Sequence, residues 1–346
     1  VALVVAAACL TSGCSSIGYY AAAIHGHLAL VESAKPVADW LADPATPPAL
    51  KERLALSQRI RDFAVTDLKE PDNQSYRRYA DLKRAAAVWN VVAAPELSLT
   101  LKTWCFIVVG CVGYRGYYDR ADADAFAATV AAEGYEVSVY GVPAYSTLGK
   151  LPGGRLADPL LSTFIEYPQG ELARLIFHEL AHQVAYAKGD TVFNESFATS
   201  VEKIGGARWL DAHASAQARA DYVRFDGRRQ DFRALTSKYR ERLDTLYRSA
   251  APDADKRVAK QAIYAALRED YARLKSERWG GYTGYDAWFA RANNASFGVL
   301  TAYTELVPAF QRLFDKEGGD FGRYYAEVKR IAALGNEAER RAALER

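Results

Sequence analysis

Two histidines four residues apart, His178 and His182, enclose a glutamate, Glu179, in the run Phe177-His-Glu-Leu-Ala-His182. On a helix that spacing stacks the imidazoles one turn apart, so both can offer a nitrogen to one metal ion. Glu179 falls next round the helix, where its carboxylate can hydrogen-bond a water at the metal without being a ligand. This is the H-E-x-x-H signature of zinc hydrolases, in which a polarised water attacks a carbonyl and the glutamate carries its proton to the leaving group. Of five histidines in the chain, two lie in this motif, which makes a chance match improbable.

A catalytic zinc needs a third protein ligand and an open position. The segment Thr191-Val-Phe-Asn194-Glu195-Ser-Phe-Ala-Thr-Ser-Val-Glu202 follows a Gly-Asp turn and reads as a second helix. If residues 183–188 continue the first helix, they run about 9 Å past His182 at 1.5 Å per residue. Three or four extended residues span a similar distance back, so Glu195 can return beside the histidines. Glu202, seven residues on and near the same face, can accept the second ring N–H of a ligand histidine, and it is the fallback third ligand. A metzincin is excluded, because its third His would fall at Lys188 and its Gly at Ala185, and with no Met there is no Met-turn.

The chemistry also asks for a group to stabilise the developing oxyanion. Tyr303 is the preferred candidate over His213, which sits in what reads as an ordinary helix surface. The segment from Val142 to Gly149 follows a strand and is either a cleft edge that pairs with extended peptide or a surface loop. Tyr114 and Arg115 either hold a substrate carboxylate or cover the sheet. His25 and His27 have no partner Cys or carboxylate at ligand spacing and read as structural.

The elements that must position these residues follow from periodicity. Pro168 and Gly189 bracket the metal helix. Residues 17–34 and 48–68 read as helices, and 79–94 as another. From about 98 the pattern shifts to strands at 104–109, 112–117, 135–140 and 161–167, with an Ala-rich helix over 119–133 closed by Gly134. From Glu171 onward the chain reads as helices. The expected fold class is α+β, mainly helical, with a small mixed sheet packed beside the H-E-x-x-H helix. The expected organisation is 1–13 a signal peptide, 14–97 a helical N-terminal region, 98–206 the catalytic core and 207–346 a helical C-terminal region.

Among 346 residues, 50% are hydrophobic and 25% charged, and 44 Lys and Arg stand against 42 Asp and Glu. This is globular composition with a net charge of +2, too balanced to indicate a nucleic-acid binder. Residues 1–10 form an apolar run too short to span a bilayer but suited to a signal peptide. The following Leu-Thr-Ser-Gly-Cys14 resembles a bacterial lipobox, which implies cleavage before Cys14, lipid on Cys14, and, with Ser15 next, an outer-membrane lipoprotein facing the periplasm. Cys105 and Cys111 then remain as one disulfide or as two separately buried thiols.

His-Glu-Leu-Ala-His followed by Asn194-Glu-Ser-Phe-Ala resembles the gluzincin group of zinc metallopeptidases. The segments SGCSSIGYY, WCFIVVGCVGYRGYYD, VPAYSTLG, FHELAHQ, FNESFATSVE and NNASF together resemble a family of bacterial lipoproteins described as putative aminopeptidases. The resemblance implies a zincin-like fold and zinc on His178, His182 and Glu195. It further implies Glu179 as general base, a peptide substrate and a lipid-anchored place in the cell envelope. A non-catalytic envelope lipoprotein that uses the same scaffold to bind a partner is the alternative.

Overall fold

The computed structural model describes residues 2–106, 110–144, 147, 156–302 and 305–345. In chain order, α1 (Ala2–Ser33), β1 (Lys35–Pro36), α2 (Val37–Ala42) and α3 (Pro48–Thr66) precede β2 (Arg78–Ala80) and β3 (Val88–Pro95). Then come β4 (Trp104–Phe106), β5 (Gly110–Val112), β6 (Arg115–Tyr117), α4 (Arg120–Ala132), β7 (Tyr135–Val142) and β8 (Leu160–Leu161). The remainder is helical: α5 (Gln169–Val184), α6 (Thr191–His213), α7 (Ala216–Arg248), α8 (Asp253–Glu277), α9 (Asp286–Arg291), α10 (Asn294–Ala302), α11 (Val307–Lys316), α12 (Phe321–Ala332) and α13 (Glu337–Leu344). The chain is mainly helical with small sheets. Among the described residues no helix is long and apolar enough to cross a membrane.

Among the described residues three small sheets stand in place of the single mixed sheet expected. One is antiparallel, in the order β6-β3-β7. A second, β1-β2-β8, is mixed, with β2 and β8 parallel. The third is the β4-β5 hairpin, in which Cys105 lies opposite Cys111 and the two form a disulfide. The aromatic and β-branched run expected as two strands is thus broken into β4, β5 and β6; residues 107–109 lie outside the described residues.

Two sequence expectations are corrected. The run 79–94, read as a helix from its alanines, contains the end of β2 and most of β3. Val91, Val92, Ala93 and Ala94 are all buried, so the strand is covered on both faces: Ala295 of α10 packs on Val92 and Ala94, and α4 also lies against β3. Such continuous burial erases the alternation that would mark a strand. The strand expected over 161–167 ends at Leu161, after which Phe164 and Ile165 donate back to the Leu161 carbonyl and turn the chain toward α5. The Ala-rich helix is α4, capped by the Asp119 side chain accepting from Ala121 N–H, and Gly134 beyond it takes φ +90°.

The main core surrounds α5. Leu172, Ala173, Ile176, Phe177, Leu180 and Ala181 are buried along it, a stripe that packs against α3 and α6 and leaves the 171-175-178-182 side toward the site. Close approach of α6 depends on its paired glycines. A Cβ on Gly205 would lie 2.6 Å from Leu68 Cδ1, and one on Gly206 would lie 2.8 Å from Arg174 Cγ. A separate aromatic core joins α7, α8, α9 and α10 through Phe232, Tyr239, Leu267 and Phe289.

Candidate metal centre

α5 starts after Pro168 and ends at Val184, two residues beyond His182, because Ala185 turns to an extended conformation at φ −146°. The helix therefore does not continue to Lys188 as expected. Residues 185–190 form the return instead, which is why twelve residues suffice between His182 and Glu195. Asp190 caps α6 by accepting from Phe193 N–H, and its other oxygen takes a 2.7 Å hydrogen bond from buried Arg340 of α13. Asn194 then clamps the return to the first turn of α6. Its Nδ2 donates to the Ala187 carbonyl and its Oδ1 accepts from the Ala187 amide, both at 2.8 Å.

The result places Glu195 against both histidines. Its Oε2 is 3.2 Å from His178 Nε2 and 3.7 Å from His182 Nε2, and the three candidate ligand atoms lie within 4.8 Å of one another. Bonds of about 2.0–2.2 Å to one tetrahedral ion put donor atoms roughly 3.3–3.6 Å apart, so the two contacts bracket what a shared ion requires. Among the described residues this is the one cluster of His, Cys, Asp and Glu with such spacing; His25 and His27 belong to none. Two imidazoles and a carboxylate are a donor set that fits zinc.

Glu202 stands behind His178 rather than beside the three donors. His178 Nδ1–H donates to Glu202 Oε2 at 3.1 Å, which leaves Nε2 toward Glu195. Glu202 is in turn ion-paired with Arg174, a side chain only 4% exposed, whose other terminal nitrogen is 3.4 Å from Asp226. Burial opposes charge on Glu202, but Arg174 and His178 outweigh it and hold the carboxyl down at about 2. Burial likewise disfavours an imidazolium at His178, yet Glu195 and Glu202 raise its pKa well above the usual value. His182 goes the other way, lowered by burial to about 4, so its ring is neutral with a lone pair to offer.

Glu179 is not one of the three clustered donors. It lines the cavity that also holds His178, His182 and Glu195, and a second cavity on the α7 side. Burial pushes its carboxyl up to about 7, with the neighbouring carboxylates adding to the rise and His178 opposing it. A carboxyl so poised can both take and give a proton near neutral pH.

Tyr114, a candidate from the sequence, reaches the site, whereas several other residues there carried no clear sequence signal. Tyr114, from the turn between β5 and β6, lines the metal cavity, and its phenol is raised far above its usual range by burial and by Glu195, Tyr186 and Glu179 nearby. Tyr186 lines the same cavity. Tyr19 and Tyr20 of α1 line it as well. Arg174 is the exception, since Arg174, His178 and His182 form a stripe at spacing four. Gln183, next to His182, accepts from Asn73 at 2.7 Å and donates to Ser75 at 3.1 Å, anchoring the end of α5.

Other expectations resolve differently. Arg115 lies over the rings of Tyr19 and Phe126 at 4.0 and 4.4 Å and covers the sheet. His213 is exposed and stacks on Trp209, with ring centroids 4.4 Å apart, away from the metal cavity. Val142 and Ala144 line the metal cavity, so the end of β7 is at the cleft. Tyr145, Ser146 and all of 148–155 lie outside the described residues, and so does Tyr303.

No curated protein and no solved structure matches the chain. A family model does, over residues 18–344, a span that includes every group of the His-His-Glu cluster and the arginines behind it. The chain therefore belongs to the family described as "Putative aminopeptidase".

Proposed function

We propose that the protein is a zinc-dependent peptidase, acting as an aminopeptidase, with His178, His182 and Glu195 holding the metal and Glu179 as the general base. The observation that carries this reading is the approach of one Glu195 oxygen to both Nε2 atoms, 3.2 and 3.7 Å, with Glu179 in the same cavity. The family description supports the aminopeptidase assignment. Zinc held by three protein groups supplies a Lewis acid that brings a water's pKa toward neutrality and polarises a carbonyl oxygen.

The chain's own groups do the rest. Glu179 accepts the proton of the attacking water and returns it to the amine nitrogen that leaves as the C–N bond breaks. Tyr114, kept protonated by burial, donates its O–H to the carbonyl oxygen as negative charge develops there. Glu202 and Arg174 hold His178 in orientation. The N-terminal reading extends the proposal: a lipid on Cys14 tethers the enzyme to the bacterial envelope on the periplasmic side, where its substrates are peptides.

Elemental analysis of the purified protein, beside His178→Ala and Glu195→Ala, tests the metal site; near-stoichiometric zinc should be present and lost in both variants. Glu179→Gln should keep zinc and lose peptide hydrolysis by about 10²-fold or more. Absence of zinc after reconstitution, or full activity in Glu179→Gln, overturns the reading.

A further inference from the structure

The cavity on the α7 side of Glu179, about 420 Å³, is lined by three arginines. Two are neutralised by protein carboxylates. Arg174 pairs with Glu202 and Asp226, and Arg229 pairs with Glu171 and Asp226. Arg233 differs: the carboxylates around it are engaged by its neighbours, and its guanidinium makes no hydrogen bond or ion pair among the described residues. It is half-buried, and burial works against its charge, with Arg174 adding repulsion and Glu202 and Asp226 only partly offsetting it. A fixed cation drawn partly out of water and left without a partner is costly. An incoming anion relieves that cost.

The setting also selects the anion. A guanidinium presents a planar fork that matches a carboxylate with two parallel hydrogen bonds. Phe232 and Tyr285 stack at 4.6 Å beside it and give the cavity an apolar wall. His178 and Glu179 line the same cavity, so a ligand anchored at Arg233 shares it with the general base, which also lines the metal cavity that holds His182 and Glu195. The volume is within the roughly 300–1,000 Å³ that suits small ligands.

We propose that Arg233 is the carboxylate anchor of the cleft and that the substrates are short peptides bearing a carboxylate, either the C-terminus or an acidic side chain. The inference rests on the peptidase reading only for the ligand being a peptide. Binding is therefore measured apart from cleavage, by calorimetric titration in a Glu179→Gln background with Ala-Phe, Ala-Phe amide, Ala-Glu amide and Ala-Gln amide. At least one acid should bind tenfold or more tightly than its uncharged counterpart. Preference for Ala-Phe over its amide identifies the C-terminus, and preference for Ala-Glu amide over Ala-Gln amide identifies the side chain. Arg233→Gln should erase the preference and Arg233→Lys should keep a several-fold remnant, with thermal unfolding of both variants followed to show that they fold. Equal binding of acids and amides, no binding of either, or a preference that survives in folded Arg233→Gln overturns the anchor. A protein that cleaves peptides but binds acid and amide alike loses the anchor and keeps the peptidase reading; one with the preference but no cleavage does the reverse.

Discussion

Asn194 and Ala187 exchange two 2.8 Å hydrogen bonds across the return from α5 to α6, one residue before Glu195. Ala187 is 1% exposed, so no water replaces Asn194 if it is removed. Asn194→Ala should cost about 2–3 kcal/mol, since it leaves a buried amide and carbonyl unpaired, and should weaken zinc binding about 10–100-fold by loosening Glu195. Asn194→Asp keeps the acceptor, loses the donor and should fall between. Denaturant unfolding and metal titration check this; unchanged metal affinity in Asn194→Ala would show that the return does not position Glu195.

Glu202 shares its carboxylate between His178 and Arg174. Glu202→Gln should lower zinc affinity about 10–100-fold and destabilise by about 3 kcal/mol, because Arg174 is left buried without its main counter-charge. Arg174→Met combined with Glu202→Gln should cost less than the sum of the two single changes. Additive costs in a double-mutant cycle would mean the two side chains act independently.

Acid stability should depend on Asp270 of α8, which accepts from Lys238 Nζ at 2.8 Å and Tyr239 Oη at 2.7 Å on α7 and pairs with Arg273. The hydrogen bonds from Lys238 and Tyr239 hold its carboxyl down at about 2. A folded pKa below the unfolded one stabilises at pH above the ordinary aspartate value, and that contribution is lost as pH falls from about 4 to about 2. Solvent screening limits it to about 1 kcal/mol. Asp270→Asn should lower stability at pH 6 by that amount and flatten the decline below pH 4, as read from urea unfolding across pH.

The Cys105–Cys111 bridge closes a short loop whose hairpin touches the α5–α6 return: a Cβ on Gly110 would lie 3.0 Å from Gly189 N. Chain-entropy arguments give such a loop about 2 kcal/mol. Reductant should lower the thermal midpoint measurably and raise the thiol count by two, and Cys105→Ser with Cys111→Ser should lower the midpoint to the same extent. An identical midpoint with and without reductant would show the bridge to be neutral for stability.

The sequence by itself pointed to the cluster of side chains that one helix and its successor bring together. The spacing of His178, Glu179 and His182 needs only 3.6-residue periodicity and was legible; chain length allowed Glu195 to return, although the path assumed for it, a helix through 188, is not the one taken. Asp119 and Gly134 likewise bounded α4 through local backbone preferences. Where partners are distant in sequence, local reading failed. Residues 88–95 became a strand because residues 115–117 and 135–142 pair with them and helices cover both faces, and no window of Ala and Val contains that information. The choice of Glu195 beside both imidazoles, with Glu202 behind one of them, depended on where α5 ends and on how close Gly205 and Gly206 let α6 approach. Arg233 stands unpaired among the described residues because α7 brings it to a cavity whose carboxylates are already engaged by Arg174 and Arg229, a balance of burial and charge that exists only once the helices are packed.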